Sequence, residues 1–109
     1  SSGESSNKIR PRVIIARNIQ KERFEKAGNI YCNSQMSSKD IANYCMLNSN
    51  GKTLLKLAME KLNLSARAYD RIIKVSRTIA DLGASKDIKN DHLAEAIQYR
   101  SLDRDNWGS

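Results

Sequence analysis

Proline occurs once in this chain, histidine once and cysteine twice, and no apolar run approaches the ~18 residues needed to cross a bilayer. The rarity of proline leaves long stretches free to be helical, and the missing apolar run excludes a membrane span. His92, the single histidine, leaves a zinc site short of ligands, so no metal centre is expected. Cys32 and Cys45 are separated by 12 residues and form no CxxC pair, so they read as free thiols. The opening SSGESSNK lacks the apolar core of a signal peptide, which points to a cytoplasmic protein. Aromatic residues are few and do not alternate with basic ones, which argues against a stacking platform for single strands. Strict apolar–polar alternation is missing as well, so the expected fold is all-α, a bundle of about five helices. Catalysis also lacks its parts: no nucleophile stands beside a base, and no carboxylate pair lies in an apolar setting. The chain by itself should be inactive.

What the chain has in excess is positive charge. Nineteen Lys and Arg against twelve Asp and Glu give +7, and the first 27 residues hold seven cations and three anions. Such a balance calls for an anionic partner, whether nucleic acid, nucleotide or an acidic protein surface, without choosing among them.

Residues 1–7 are small and polar and read as a disordered lead-in or the cut end of a longer chain, 8–104 as the helical domain, and 105–109 as a polar tail in which Trp107 stands alone. A first helix is expected from Ser6 or Asn7 to Ala27, with Ile9, Val13, Ala16, Gln20, Phe24 and Ala27 on one stripe. Pro11 either moves its effective start to Arg10 or loosens its first turn. Ile14, Ile15 and Ile19 fall off the stripe and predict a second contact. After a loop at Asn29 to Met36, whose Ile30, Tyr31 and Cys32 are expected to tuck onto the core, Ser37 and Asp40 resemble a capping box. They open a short helix with Ile41, Ala42, Tyr44 and Cys45 inward. A third helix runs from Asn50 to Leu62 with Leu54, Leu55, Ala58, Met59 and Leu62 inward. Its Gly51-Lys52-Thr53 imitates the end of a P-loop, but Met46 stands where the first glycine is required and no strand precedes it, so phosphate binding there is rejected. After a linker at Ala84 to Lys89, Asn90 is expected to cap a last helix with Leu93, Ala96, Ile97 and Tyr99 or Leu102 inward.

The longest periodic stretch runs from Ser65, an N-cap, to Leu82, with Gly83 as the stop. Ala68, Tyr69, Ile72, Ile73, Val75, Ser76, Ile79, Ala80 and Leu82 cover a broad half of this helix, while Arg67, Asp70, Arg71, Lys74, Arg77, Thr78 and Asp81 take the other half. It should be the central element, touched from more than one side. Arg67, Arg71 and Lys74, at i, i+4 and i+7, leave one side of it. A cation in the first turn opposes the macrodipole by roughly 0.3–1 kcal/mol. A phosphate ligand would give such a cation a purpose, because a guanidinium matches its geometry; a solvated face is the plainer alternative.

Leu64-Ser65-Ala66-Arg67-Ala68-Tyr69-Asp70-Arg71 and Lys74-Val75-Ser76-Arg77-Thr78-Ile79-Ala80-Asp81-Leu82 resemble the C-terminal lid domain of the Mg-chelatase-related AAA+ ATPases of the ComM-like group. The likeness continues through His92-Leu93-Ala94-Glu95-Ala96-Ile97-Gln98-Tyr99-Arg100 to Asp103-Arg104. It also takes in Gly3-Glu4-Ser5-Ser6, Ile9-Arg10, Arg12-Val13 and Ala16-Arg17, so it covers nearly the whole chain. Ser76 departs from the family's usual Ala and touches only the core. The resemblance implies that Arg67 is a sensor-2-like catalytic arginine and that Arg67 and Arg71 meet the phosphates of ATP held, with Mg2+, by a core domain outside this chain. It further implies a hexameric ring whose neighbouring subunits are partners. In ComM-like members, linked to competence, the ring is a DNA branch-migration motor; in true magnesium chelatase it drives metal insertion into a porphyrin. No cofactor is expected on this chain alone.

A reading from another class is a free-standing basic module in which Arg10, Arg12, Arg17, Lys21 and Arg23 on the first helix contact nucleic acid or a neighbouring subunit. A plain protein-interaction bundle is the third, with Ile14, Ile15 and Ile19 as its exposed patch.

Overall fold

The computed structural model describes residues 6–102. The expected lead-in through residue 5, the polar tail with Trp107, and the side chains of Ile9 and Leu102 lie outside the described residues. Five α-helices, α1 (Ser6–Arg23), α2 (Ser38–Tyr44), α3 (Ser49–Leu62), α4 (Ala66–Leu82) and α5 (Asn90–Leu102), and one 3-10 turn at Asn33–Gln35 make an all-α bundle with no strand among the described residues.

Each boundary has a local cause. α1 includes Pro11, so of the two alternatives its first turn is the one that lacks a bond, from position 11 to the carbonyl of Asn7. It ends at Arg23, four residues before the expected Ala27, because the chain there unwinds into tighter turns, Glu25 N–H to Glu22 O at 3.4 Å and Ala27 N–H to Phe24 O at 2.9 Å, that carry Phe24 into the core. Gly28, at φ +84°, then supplies the left-handed residue that turns the chain.

α2 opens on the capping box expected of Ser37 and Asp40: the Asp40 N–H donates to the Ser37 hydroxyl at 3.2 Å and the Ser37 N–H to the Asp40 carboxylate at 3.0 Å. α3 starts one residue earlier than expected, since Asn48 is its cap and accepts from the Gly51 N–H at 2.7 Å. α5 begins at Asn90, which is its first helical residue and not the cap expected: the preceding Lys89 carbonyl accepts the N–H groups of His92 and Leu93, and the His92 Nδ1 accepts the Lys89 N–H at 2.9 Å, one half of a capping box.

The end of α4 corrects a simple expectation. Gly83 is the C-cap, but at φ −90°, and it is Ala84, at φ 54°, that takes the left-handed conformation. Ser85 N–H to Ala80 O at 2.8 Å and Ala84 N–H to Asp81 O at 2.9 Å complete a Schellman pair around a residue with a Cβ.

α4 is the central element, packed against α1, α2, α5 and the 3-10 turn, while α3 joins through α5. The core gathers Phe24, Ile30, Met36, Ile41, Cys45, Leu55, Ile72, Ile73, Ala80, Ile88, Leu93 and Ala96, with Phe24 meeting Tyr44 edge to face at 5.1 Å. Gly51 lets α3 approach α5, since a Cβ there would sit 3.0 Å from Leu93 Cδ1. Tyr31, Ala42 and Tyr69, expected inward, are exposed, as is Tyr99, one of the two alternatives on the last helix.

Cys45 is buried beside the Met36 sulfur, and desolvation pushes its thiol up to about 11, whereas Cys32 is only partly covered. One thiol of the native chain should therefore react readily with a disulfide reagent, and the second only on unfolding. Since the folded value lies above the ordinary 9.0, Cys45's contribution to stability is complete below that pH and is lost as pH rises towards 11. Urea unfolding at pH 8 and at pH 10.5 should show the decline, and Cys45→Ala should remove this residue's share of it.

Candidate functional site

The N-terminus of α4 is held in place before any ligand is considered. Ser65 accepts the Ala68 N–H at 3.2 Å, and Ser38 on α2 donates to the Asp70 carboxylate at 2.5 Å, tying the two helices together. On this fixed end, Arg67 occupies the first turn and is exposed, while Arg71, one turn on, is partly buried.

Six charged side chains lie on α4, and their pairing separates them. Asp70 is bonded to Ser38, Lys74 donates to the Ser34 carbonyl at 3.3 Å, and Arg77 and Asp81 are paired with each other. Arg67 and Arg71 have no hydrogen bond or ion pair among the described residues. Two guanidiniums so placed leave their donor forks open to an incoming anion.

Arg77, Thr78 and Asp81 depart from their expected place on the solvent side. Asp81 has no exposed surface and Arg77 has 4%. Arg23 of α1 grips the Asp81 carboxylate with both terminal nitrogens at 2.7 and 2.9 Å, the Asn33 amide donates to it at 2.9 Å, and Arg77 Nε at 3.2 Å. Asn33 in turn accepts from Arg23 at 2.9 Å and donates to Thr78 at 3.1 Å. Two cations thus share one anion. The surplus is offset by the carbonyls of Ser85 and Lys86, which accept from Arg77 at 2.8 and 3.1 Å. Burial draws the Arg77 guanidinium below its ordinary value, and Asp81 works in the opposite direction. The only local hint of this cluster is an i, i+4 Arg–Asp spacing at the edge of the apolar face.

At 100° per residue the buried side of α4 is thereby turned by about 60° towards Arg77 and Asp81, relative to the side that apolar residues alone define. Its apolar stripe consequently overruns the core, and Val75, Ile79 and Leu82 remain only partly covered. They line a groove of about 870 Å³ between α1, α4 and α5, together with Arg12, Ser34, Arg71, Lys74, Thr78, Gly83, His92, Glu95 and Tyr99. The Tyr99 hydroxyl donates to Glu95 at 3.0 Å, which raises the phenol above its ordinary value.

The basic residues of α1 divide. Arg10, Arg17 and Lys21, at i, i+7 and i+11, share one exposed stripe; Arg12 lines the groove and Arg23 is committed to Asp81. Ile14 and Ile15 are exposed at 50% and 45%, and Ile19 is partly covered. Gly51-Lys52-Thr53 lies in the first two turns of α3, where the Gly51 N–H is already taken by Asn48. Among the described residues no cluster of metal ligands occurs, and no helix is long and apolar enough to cross a membrane.

A helical domain with this central rod defines a class, and comparison with known proteins identifies it. The chain belongs to the family described as magnesium chelatase, subunit ChlI C-terminal, whose model matches residues 3–100. It is 48% identical over 102 residues to the competence protein ComM of Haemophilus influenzae, covering 94% of this chain and 19% of that protein. It is 40% identical over 102 residues to YifB of Escherichia coli, covering 94% and 19%, and 38% identical over 104 to YifB of Salmonella typhimurium, covering 95% and 20%. It is therefore a ComM-like C-terminal domain that spans about a fifth of the length of these relatives.

Asp81→Asn keeps the shape of the central side chain and removes its charge, leaving the buried Arg77 and the partly buried Arg23 without an anion. Urea unfolding should show a loss of about 3–5 kcal/mol, a large part of the stability of a domain this size.

Proposed function

We propose that this chain is the lid of a Mg-chelatase-like AAA+ ATPase, in which Arg67 reaches the phosphates of ATP held with Mg2+ by the core domain of the same parent, and Arg71 adds positive potential behind it. The observation that carries the reading is the isolation of these two residues: of the charged side chains on α4, they are the two without a partner among the described residues, and one stands in the helix's first turn. A guanidinium delivered from a rigid helix end, itself fixed by Ser65 and by the Ser38–Asp70 bond, can stabilise charge on the transferring phosphoryl group without reorganising. Lid rotation would then carry nucleotide state to the neighbouring subunit of a hexameric ring, and the exposed Ile14 and Ile15 on α1 are available to such a contact. Similarity to a competence protein favours a DNA-remodelling motor, with branch migration as its activity, over metal insertion into a porphyrin. A cytoplasmic location accords with this assignment.

A second reading keeps a specific observation, the exposed stripe of Arg10, Arg17 and Lys21, which could meet a DNA backbone in the parent. Three cations make a weak binding site on their own.

In the full-length parent, Arg67→Ala should lower ATP turnover by ~10²–10³, and Arg67→Lys should fail to restore it. Because the side chain is exposed, the same substitution should change the unfolding free energy of the isolated domain by less than ~0.5 kcal/mol. Near-normal turnover would remove Arg67 from the mechanism. Titration of the isolated domain with duplex DNA at two salt concentrations should give weak binding whose log K falls by no more than ~3 per decade of salt, the limit for three phosphate contacts. Tight binding with a steeper slope would favour the nucleic-acid module.

A further inference from the structure

Arg67 has an acidic neighbour on its own helix. Asp70 follows it by three positions and precedes Lys74 by four, spacings at which side chains on a helix surface meet. α4 carries two carboxylates, and the other, Asp81, is buried in its own cluster. Asp70 is therefore the one acid of this helix within a turn of Arg67. Paired with Arg67 it would occupy the guanidinium fork and set a negative charge beside any approaching phosphate. Among the described residues it makes no such pair. Its carboxylate accepts the Ser38 hydroxyl at 2.5 Å, and its other cationic neighbour, Lys74, turns to the Ser34 carbonyl at 3.3 Å.

We infer that Ser38 is a positioning residue: it holds Asp70 away from Arg67 and so keeps that guanidinium open to an anion. Asp70 is then a built-in competitor for Arg67, idle as long as Ser38 holds it. The meaning of this for catalysis rests on the reading of Arg67 given above. Two properties suit Ser38 to the task. It is the first residue of α2, whose start is set by the Ser37–Asp40 box and which packs against α4 and buries Ile41 in the core, so its hydroxyl reaches Asp70 from a fixed place outside the helix. It is also neutral. A hydrogen bond to a charged acceptor outweighs an exposed ion pair between residues one turn apart, so Ser38 wins the carboxylate from Arg67, and it does so without adding a cation that would itself take the anion. A bond that served only to tie α2 to α4 would behave differently when both partners are changed: a tie once cut stays cut, whereas a competitor once neutralised no longer competes.

The 15N-labelled chain, titrated with inorganic tripolyphosphate at low salt, reports on Arg67 through its side-chain Nε–H resonance, assigned by its loss in Arg67→Lys. Ser38→Ala should raise the Kd read there about twofold, the factor that a surface pair of this spacing supplies. Ser38→Thr, which keeps a hydroxyl, should recover the loss. Ser38→Ala combined with Asp70→Asn should bind at least as tightly as the wild type, although the bond between the helices remains cut. Circular dichroism checks that each variant folds, and ATP turnover of the full-length parent at subsaturating nucleotide should follow the same order. The inference is overturned if Ser38→Ala binds like the wild type, if the double variant is no better than Ser38→Ala, if Arg67 does not respond to tripolyphosphate, or if a turnover that depends on Arg67 ignores that order. Near-normal turnover of Arg67→Ala, together with the expected order of binding in the isolated chain, would sink the ATPase reading and leave the role of Ser38 standing.

Discussion

A carboxylate with no exposure to water is tolerable only if its charge and lone pairs are met, and in this bundle Asp81 meets that condition by drawing three parts of the chain together. Arg23 arrives from 58 residues away, Asn33 from 48, and Arg77 from the preceding turn of the same helix. Apolar packing alone would allow α1 several positions along α4; a bidentate guanidinium–carboxylate pair allows few. The register of α1, the course of the Asn33 turn and the path of the linker after α4 all follow from satisfying one anion.

The same cluster explains why the central rod presents two kinds of surface. Turning Arg77 and Asp81 inward turns Val75, Ile79 and Leu82 partly outward, towards the groove. Arg67 and Arg71 keep their donors open, without a hydrogen bond or ion pair among the described residues. Internal satisfaction on one side and available chemistry on the other are two results of a single rotation.

The central helix, its Ser65 cap and the Ser37–Asp40 box were legible in the sequence because each depends on residues a few positions apart. Arg77 and Asp81 were placed on the wrong side because periodicity counts a charge as outward, and only a distant Arg23 and Asn33 reverse that. Phe24 ends α1 early for a similar reason, since its ring has to reach Tyr44. Ala84 in a left-handed conformation beside an available Gly83 runs against residue preference and is set by the Schellman bonds from Ala84 and Ser85. Arg67 and Arg71 stood out through family resemblance, while their lack of a partner among the described residues, unlike Lys74, depends on the packing of distant segments.

α1 is held unevenly along its length. Towards the middle it rests on Ala16 and Val13, small apolar side chains that let one helix roll on another, whereas at Arg23 it is bolted to Asp81. Torque applied near Arg10 would therefore pivot at Arg23 rather than spread along the interface. Through Asp81 and Arg77 that pivot is continuous with the Ser85 and Lys86 carbonyls, so the first helix and the linker that leads into the last share one charged, hydrogen-bonded anchor.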